Sequence, residues 1–221
     1  MVLTHYIITR FSILDPKFKG FKLTREFSGK EVGTILFSKE RLDFKFLVFD
    51  KITYPSIINQ TYKNYIWLIY TSIKLPQKYK ERLEKYANET IKIIYVSGFE
   101  EFNNHKRSIF ENKKDFTSLR LDDDDGLCPT FLEKINSYED QYGKILTAPH
   151  GVKFRVHENT IVFGKVLREL YAAQGLTAIG FDIFEAGNHT TVNERFEIIT
   201  VNDINYYVCC SDFCDTKRRF E

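Results

Sequence analysis

Thr117-Ser-Leu-Arg-Leu-Asp-Asp-Asp-Asp-Gly126 is the stretch from which the fold can be read. Leu119 and Leu121 alternate with polar residues as in a half-buried strand, and Gly126 permits a turn. Pro129 then opens Thr130-Phe-Leu-Glu-Lys-Ile135, which reads as a helix. The four aspartates therefore fall where the C-terminal end of a strand turns towards a helix, a usual place for ligand sites in α/β proteins. Adjacent carboxylates repel one another, so a fold that gathers them calls for a compensating cation.

Upstream, strand and helix signals alternate. His5-Tyr-Ile-Ile-Thr-Arg-Phe-Ser12 is an apolar opening strand, and Tyr65-Ile-Trp-Leu-Ile-Tyr70 and Ile91-Lys-Ile-Ile-Tyr-Val96 are two more. Leu42, Phe46 and Phe49 recur at helical spacing from Ser38 onwards, with a bend expected near Pro55. Pro76 sits at the start of a second helix over 77–87, with Leu83 and Tyr86 facing inward. Such alternation predicts parallel strands joined by crossover helices. Beyond residue 150 the pattern loosens. Phe154-Arg-Val156, Thr160-Ile-Val-Phe163, Phe196-Glu-Ile-Ile-Thr-Val201 and Tyr206-Tyr-Val-Cys209 read as shorter strands, and 164–195 is punctuated by glycine without a clear element. One domain over 1–221 is expected, with a nucleotide-type half at 1–126 and a less regular half at 127–221. The basic end, Lys217-Arg-Arg219, reads as a tail or as the start of a linker into a longer protein.

Composition narrows the function classes. The 221 residues carry 32 Lys and Arg against 30 Asp and Glu, spread along the chain. A net charge of +2 gives no electrostatic footprint for duplex nucleic acid, while a small anionic ligand remains compatible. Twenty Phe and 13 Tyr against one Met predict an aromatic interior. The cysteines at 128, 209, 210 and 214 follow no signal peptide and form no second spaced pair, so reduced thiols are expected rather than a disulfide framework or a zinc site. No apolar run approaches the ~20 residues that cross a bilayer, and a cytoplasmic protein is the expectation.

Four readings of the aspartate run compete. An EF-hand loop with Gly126 at its sixth position would put Leu121 at the first and Leu132 at the twelfth, where oxygen ligands are required, so that register fails. A two-metal nuclease or phosphatase needs further carboxylates, for which Asp182, Glu185 and Asp212 are available. A divalent cation bridging the diphosphate of a sugar nucleotide needs only one or two carboxylates at a strand end. A solvated acidic turn is the plainest reading.

Tyr54-Pro-Ser-Ile-Ile-Asn-Gln-Thr-Tyr-Lys-Asn-Tyr-Ile-Trp-Leu-Ile69 resembles the helix-to-second-strand signature of GT-A glycosyltransferases, and Arg120-Leu-Asp-Asp-Asp-Asp-Gly126 resembles their Asp-x-Asp motif. With the opening His5-Tyr-Ile-Ile-Thr-Arg-Phe11, the ordered set over roughly 5–135 looks most like the rhamnosyltransferase branch known from bacteria and large DNA viruses. The resemblance implies a GT-A α/β fold: a central, mostly parallel sheet flanked by helices, with a smaller irregular acceptor half. It implies metal-dependent transfer of a sugar, L-rhamnose or a hexose, from a nucleoside-diphosphate donor such as a UDP- or dTDP-sugar to a glycan acceptor. For a viral member the location would be the host cytoplasm.

By position, Asp122 and Asp124 match the Asp-x-Asp pair, with Asp124 the first choice as ligand of Mn²⁺ or Mg²⁺. Asp122 faces the ribose or the metal, and Asp125 is the alternate. Thr9, Arg10 and Phe11 match positions that line the nucleotide. Many relatives carry an Asp at the end of the second strand to read uracil, whereas this chain has Tyr70-Thr71-Ser72, so Thr71, Arg107 and Arg120 become candidates to approach the base or phosphates. Asp182 is the leading catalytic base with Glu185 in reserve, and His189 is a candidate late metal ligand. His150 could line the acceptor site. Trp67 reads as core. A metal-dependent phosphohydrolase or nucleotidyltransferase, and a non-catalytic nucleotide-sugar-binding module, are the alternatives.

Overall fold

The computed structural model describes residues 3–211 and 213, apart from 21, 28, 159 and 204. Its centre is a seven-stranded sheet in the order β10-β6-β9-β4-β1-β2-β3. β1 (Thr4–Phe11), β2 (Tyr65–Ser72), β3 (Ile91–Val96) and β4 (Phe116–Arg120) are parallel, as the alternation of signals predicts. The chain builds outward from β1 to β3 and then crosses back to lay β4 on the other side of β1. That reversal opens a crevice beyond the carboxyl ends of β1 and β4.

The sequence pattern explains most helices on the sheet. Ser38 caps α3 (Lys39–Val48), its hydroxyl accepting the Arg41 N–H. The bend expected near Pro55 is a π-helical turn at Phe49–Thr53, immediately before α4 (Tyr54–Ile58); a proline cannot donate and crowds the carbonyl four residues back, and the wider turn accommodates it. α3, the π turn, α4 and α5 (Gln77–Glu84) bury Phe46, Phe49, Ile57 and Leu83 against Ile7, Phe11, Trp67 and Ile69 on one sheet face. Trp67 is core, stacked on Phe49. The opposite face, Tyr6, Ile8, Leu68 and Tyr70, receives Phe99, Phe102 and Phe110 of α6 (Phe99–Phe110). Each of these large side chains contributes roughly 1.5–3 kcal/mol by leaving water. In chain order the two short helices before α3 are α1 (Lys22–Glu26) and α2 (Gly29–Leu36).

The second half departs from the sequence reading in an instructive way. β5 (Gly126–Leu127) and α7 (Phe131–Asn136) follow the aspartates, then β6 (Ile145–Thr147). The strands expected near 154 and 160 are a longer hairpin, β7 (His150–His157) with β8 (Thr160–Arg168). Together with β5 and β11 (Asn205–Cys209) they form a separate four-stranded sheet in the order β5-β11-β7-β8. Within the glycine-punctuated stretch lies β9 (Thr177–Ile179), which inserts antiparallel between β4 and β6, and β10 (Ile198–Thr200) completes the large sheet. Only three residues long, β9 is too short to show an alternation.

Gln60 explains why the two halves meet where they do. Its fully buried amide donates to the carbonyls of Ser56 and Cys128, at 2.8 Å each, and accepts the Leu132 N–H at 3.0 Å. Thr61 N–H donates to Pro129 O at 2.9 Å, while Tyr62 Oη and Asn64 Nδ2 both reach Leu3 O at 3.0 Å. The Gln60-Thr-Tyr-x-Asn64 pattern is thus a weld between α4, β1 and the start of α7.

Cys128 is a free thiol and Cys209 and Cys210 are buried; Cys214, Asp212 and Lys217-Arg-Arg219 lie outside the described residues. Among the described residues no helix is long and apolar enough to cross a membrane.

Candidate active site at the aspartate run

The aspartates occupy the crevice at the β1/β4 crossover. Leu121 N–H still donates to Ile8 O, and Asp125 N–H donates to Asp122 O at 3.2 Å, closing the turn into β5. Each carboxylate then meets a different partner. Asp122, with 30% of its side chain exposed, accepts from Arg10 Nη2 at 3.3 Å and from Arg120 Nε and Nη2 at 3.4 Å each. Burial alone would raise its pKa, but Arg120 and Arg10 outweigh that and hold the carboxyl well below the usual range.

Asp123, Asp124 and Asp125 are almost fully buried, at 3–6% exposure. Lys45, equally buried on α3, places Nζ 2.7 Å from Asp123 Oδ1 and 2.8 Å from Asp124 Oδ2. Burial pushes Asp123 up to about 6; Lys45 opposes this and the Asp124 charge adds to it. Asp125 accepts the Cys209 N–H on Oδ1 at 3.0 Å and Gln174 Nε2 on Oδ2 at 2.6 Å. Burial, followed by the charges of Asp124 and Asp122, raises Asp125 well above the carboxylate range. The cation that four aspartates call for is therefore largely supplied by the chain itself.

A divalent ion such as Mn²⁺ or Mg²⁺ takes hard oxygen ligands. Asp122 fits that chemistry, being a firmly ionised carboxylate open to the crevice, whereas Asp124 is 6% exposed and has its Oδ2 on Lys45. Asp125 does not fit, because both of its oxygens are engaged inside the fold. Among the described residues no three His, Cys, Asp or Glu side chains gather as a metal-holding group, so His189 is not brought into a shell with Asp122 and Asp124. It opens a 3₁₀ turn, His189–Glu194, capped by Asn188.

Other candidates are redistributed by strand alternation. Arg10 points into the crevice face, while its neighbours Thr9 and Phe11 are fully buried on the other face. Thr9 Oγ1 accepts Trp67 Nε1–H at 2.9 Å, and Phe11 packs on Phe46 and Phe49. Their side chains line the core, not a nucleotide. Thr71, paired in register with Phe11, is buried likewise. Arg107 is exposed on α6, whose inward cation is the adjacent Lys106.

Asp182 is corrected from base to structural carboxylate. Its Oδ1 caps the 3₁₀ turn Ile183–Ala186 by accepting Phe184 N–H at 3.0 Å, and its Oδ2 lies 2.6 Å from Lys106 Nζ. Glu185, on the same turn, is exposed. His150 pairs across β7 with Arg168 and Asn205. Lys45, Lys106 and Gln174 carried no motif; a lysine at an inward helical position was the only signal that could have found the first two.

Residues 4–176 match the family described as "Putative rhamnosyl transferase". No curated protein matches the chain. Among solved structures, S. aureus TarS 1–349 in complex with UDP-GlcNAc superposes with a TM-score of 0.54 at 10% identity, over 95% of this chain and 59% of that one. The same protein with UDP gives 0.51 at 10% identity, over 96% and 61%. GalNAc-T7 with UDP, GalNAc and Mn²⁺ gives 0.54 at 11% identity, over 94% and 43%. The chain thus spans well under two thirds of the length of these structures, and at such identities the likeness is one of fold. The match over most of the sequence places this chain, which has the GT-A fold, in the rhamnosyl transferase family.

Proposed function

We propose that the chain transfers a sugar from a nucleoside-diphosphate donor, a UDP- or dTDP-sugar carrying L-rhamnose or a hexose, to a glycan hydroxyl with inversion. The observation that carries this reading is the Arg10–Asp122–Arg120 cluster at the β1/β4 crossover: two guanidinium groups and one strongly ionised carboxylate at the place where α/β folds bind nucleotides. Planar guanidinium groups suit phosphate oxygens because they donate in pairs. Asp122 would hold a divalent cation, which when bound neutralises the charge of a departing diphosphate.

The chain's own groups do the rest. Arg10 and Arg120 bind the phosphates and fix the donor's orientation. Lys45 and the Cys209 N–H keep the buried aspartates in place, so the open carboxylate is presented without reorganisation. A base must take the acceptor proton as the acceptor oxygen bonds to C1 and the C1–phosphate bond breaks. Glu185 is the group for this, exposed on the turn whose Phe184 ring lies against both arginines.

Release of nucleoside diphosphate from UDP- and dTDP-sugars, with Mn²⁺ and a glycan acceptor, is the test. Wild type is expected to release it, Asp122→Asn to lose more than tenfold, and Glu185→Gln to bind donor yet release little. Release of inorganic phosphate would favour a phosphohydrolase, and binding without turnover a non-catalytic module.

A further inference from the structure

Phe184 is met by three cations. Arg10 Cζ lies 5.2 Å from the ring centroid, Arg120 Cζ 5.9 Å and Lys106 Nζ 4.5 Å. The ring is itself held firmly: it stands edge-to-face on Phe102 at 5.3 Å, and Lys106 Nζ also lies 4.4 Å above Phe102. Lys106 is 2% exposed and ion-paired to Asp182, whose other oxygen caps the backbone N–H of Phe184. Ser118 of β4 closes the arrangement, its hydroxyl donating to Phe181 O and accepting the Ile183 N–H, both at 2.7 Å. The turn Ile183–Ala186 is therefore bolted to the strand that ends in Arg120 and to the helix beside it.

We propose that Phe184 is a positioning residue for the donor's diphosphate, and that the buried Lys106–Asp182 pair is the pin that holds it. The ring gives Arg10 and Arg120 one shared apolar wall. Both guanidinium planes are then fixed before a ligand arrives, and the rotamer entropy of two long side chains is not lost on binding. Asp182 acts on the reaction only through this chain of contacts. The inference rests on the sugar-nucleotide reading above and assigns to the 3₁₀ turn a part in recognising phosphate.

Calorimetry on the whole chain separates the two. UDP and uridine are the probes, with dTDP and GDP alongside. Phe184→Leu keeps the apolar contact with Phe102 but removes the π face, and is expected to weaken UDP binding about three- to tenfold while uridine affinity stays unchanged. Phe184→Tyr is expected to bind UDP as wild type does. The double variant Lys106→Met/Asp182→Asn, which leaves no buried charge unpaired, should weaken UDP in the same sense and provides the test should Phe184→Leu fold poorly. Wild-type UDP affinity in a folded Phe184→Leu protein, or equal losses for UDP and uridine, would overturn the proposal. Absence of binding of UDP, dTDP and GDP to the wild type would overturn the sugar-nucleotide reading, and this proposal with it.

Discussion

Lys45 reaches from α3 to two of the four aspartates, and because its ammonium is as buried as they are, the three groups stand or fall together. Removing one member of a buried ion pair typically costs 3–5 kcal/mol, since the partner is left charged and dehydrated. Lys45→Met is therefore expected to lose about that much stability in urea unfolding, and pairing it with Asp123→Asn should recover part of the loss. An unchanged unfolding midpoint would mean that solvent or another group already neutralises the aspartates. Asp122 differs in kind: it is itself partly exposed and its partners are two arginines at the crevice, so its replacement should affect binding more than folding. The residue types at the strand end were legible in the sequence because four carboxylates demand a cation. Which cation they find was not, since Lys45 lies 78 residues upstream of Asp123 and only the packing of α3 brings them together.

At the scale of elements, the sequence is most readable where a single rule acts. β1 and β2 are near-continuous buried runs, as parallel strands covered on both faces must be, while the edge strand β3 is only partly buried. Strand alternation also explains the misplaced candidates: Thr9, Phe11 and Arg10 share a strand end, but period-two geometry sends only Arg10 to the crevice. What stayed hidden were elements defined by pairing rather than composition, β5 with two residues and β9 with three. The Gln60 weld stands between these cases, because its motif is visible while its bonds are tertiary. Gln60→Leu leaves a buried N–H of Leu132 and a carbonyl of Cys128 without their partner, at about 1–3 kcal/mol per group. Its expected signature is faster hydrogen exchange at α7 and at the aspartate turn, together with a lower melting temperature. Exchange unchanged at α7 would show that the Thr61 contacts hold the junction alone.

The whole molecule joins two sheets through the aspartate turn and keeps ionisable groups inside both halves, so its stability should carry a readable pH signature. His5 is fully buried in β1, where Nδ1 lies 2.7 Å from Thr117 Oγ1 of β4 and Nε2 meets no hydrogen-bond partner among the described residues. Burial lowers its pKa from 6.5 to about 4. The folded chain thus keeps the imidazole neutral, while the unfolded chain takes up a proton below pH 6.5. The corresponding stability is fully present above pH 6.5 and is lost as pH falls towards 4, by about 3 kcal/mol in all. Asp123 acts in the opposite sense: raised to about 6, it contributes stability that is present below pH 3.8 and is lost as pH rises through 6. Asp125, also raised by burial, adds to the aspartate slope, and between pH 4 and 6 both aspartates oppose the slope of His5. His5→Gln exposes the hidden component, because the variant lacks the imidazole and keeps the aspartates. The difference in unfolding free energy between the two proteins, from urea melts at pH 7 and pH 4, should move by about 3 kcal/mol in the variant's favour on acidification. A difference that stays constant across that range would mean His5 takes up its proton alike in folded and unfolded chains, and that the β1–β4 core admits a charge that its burial argues against.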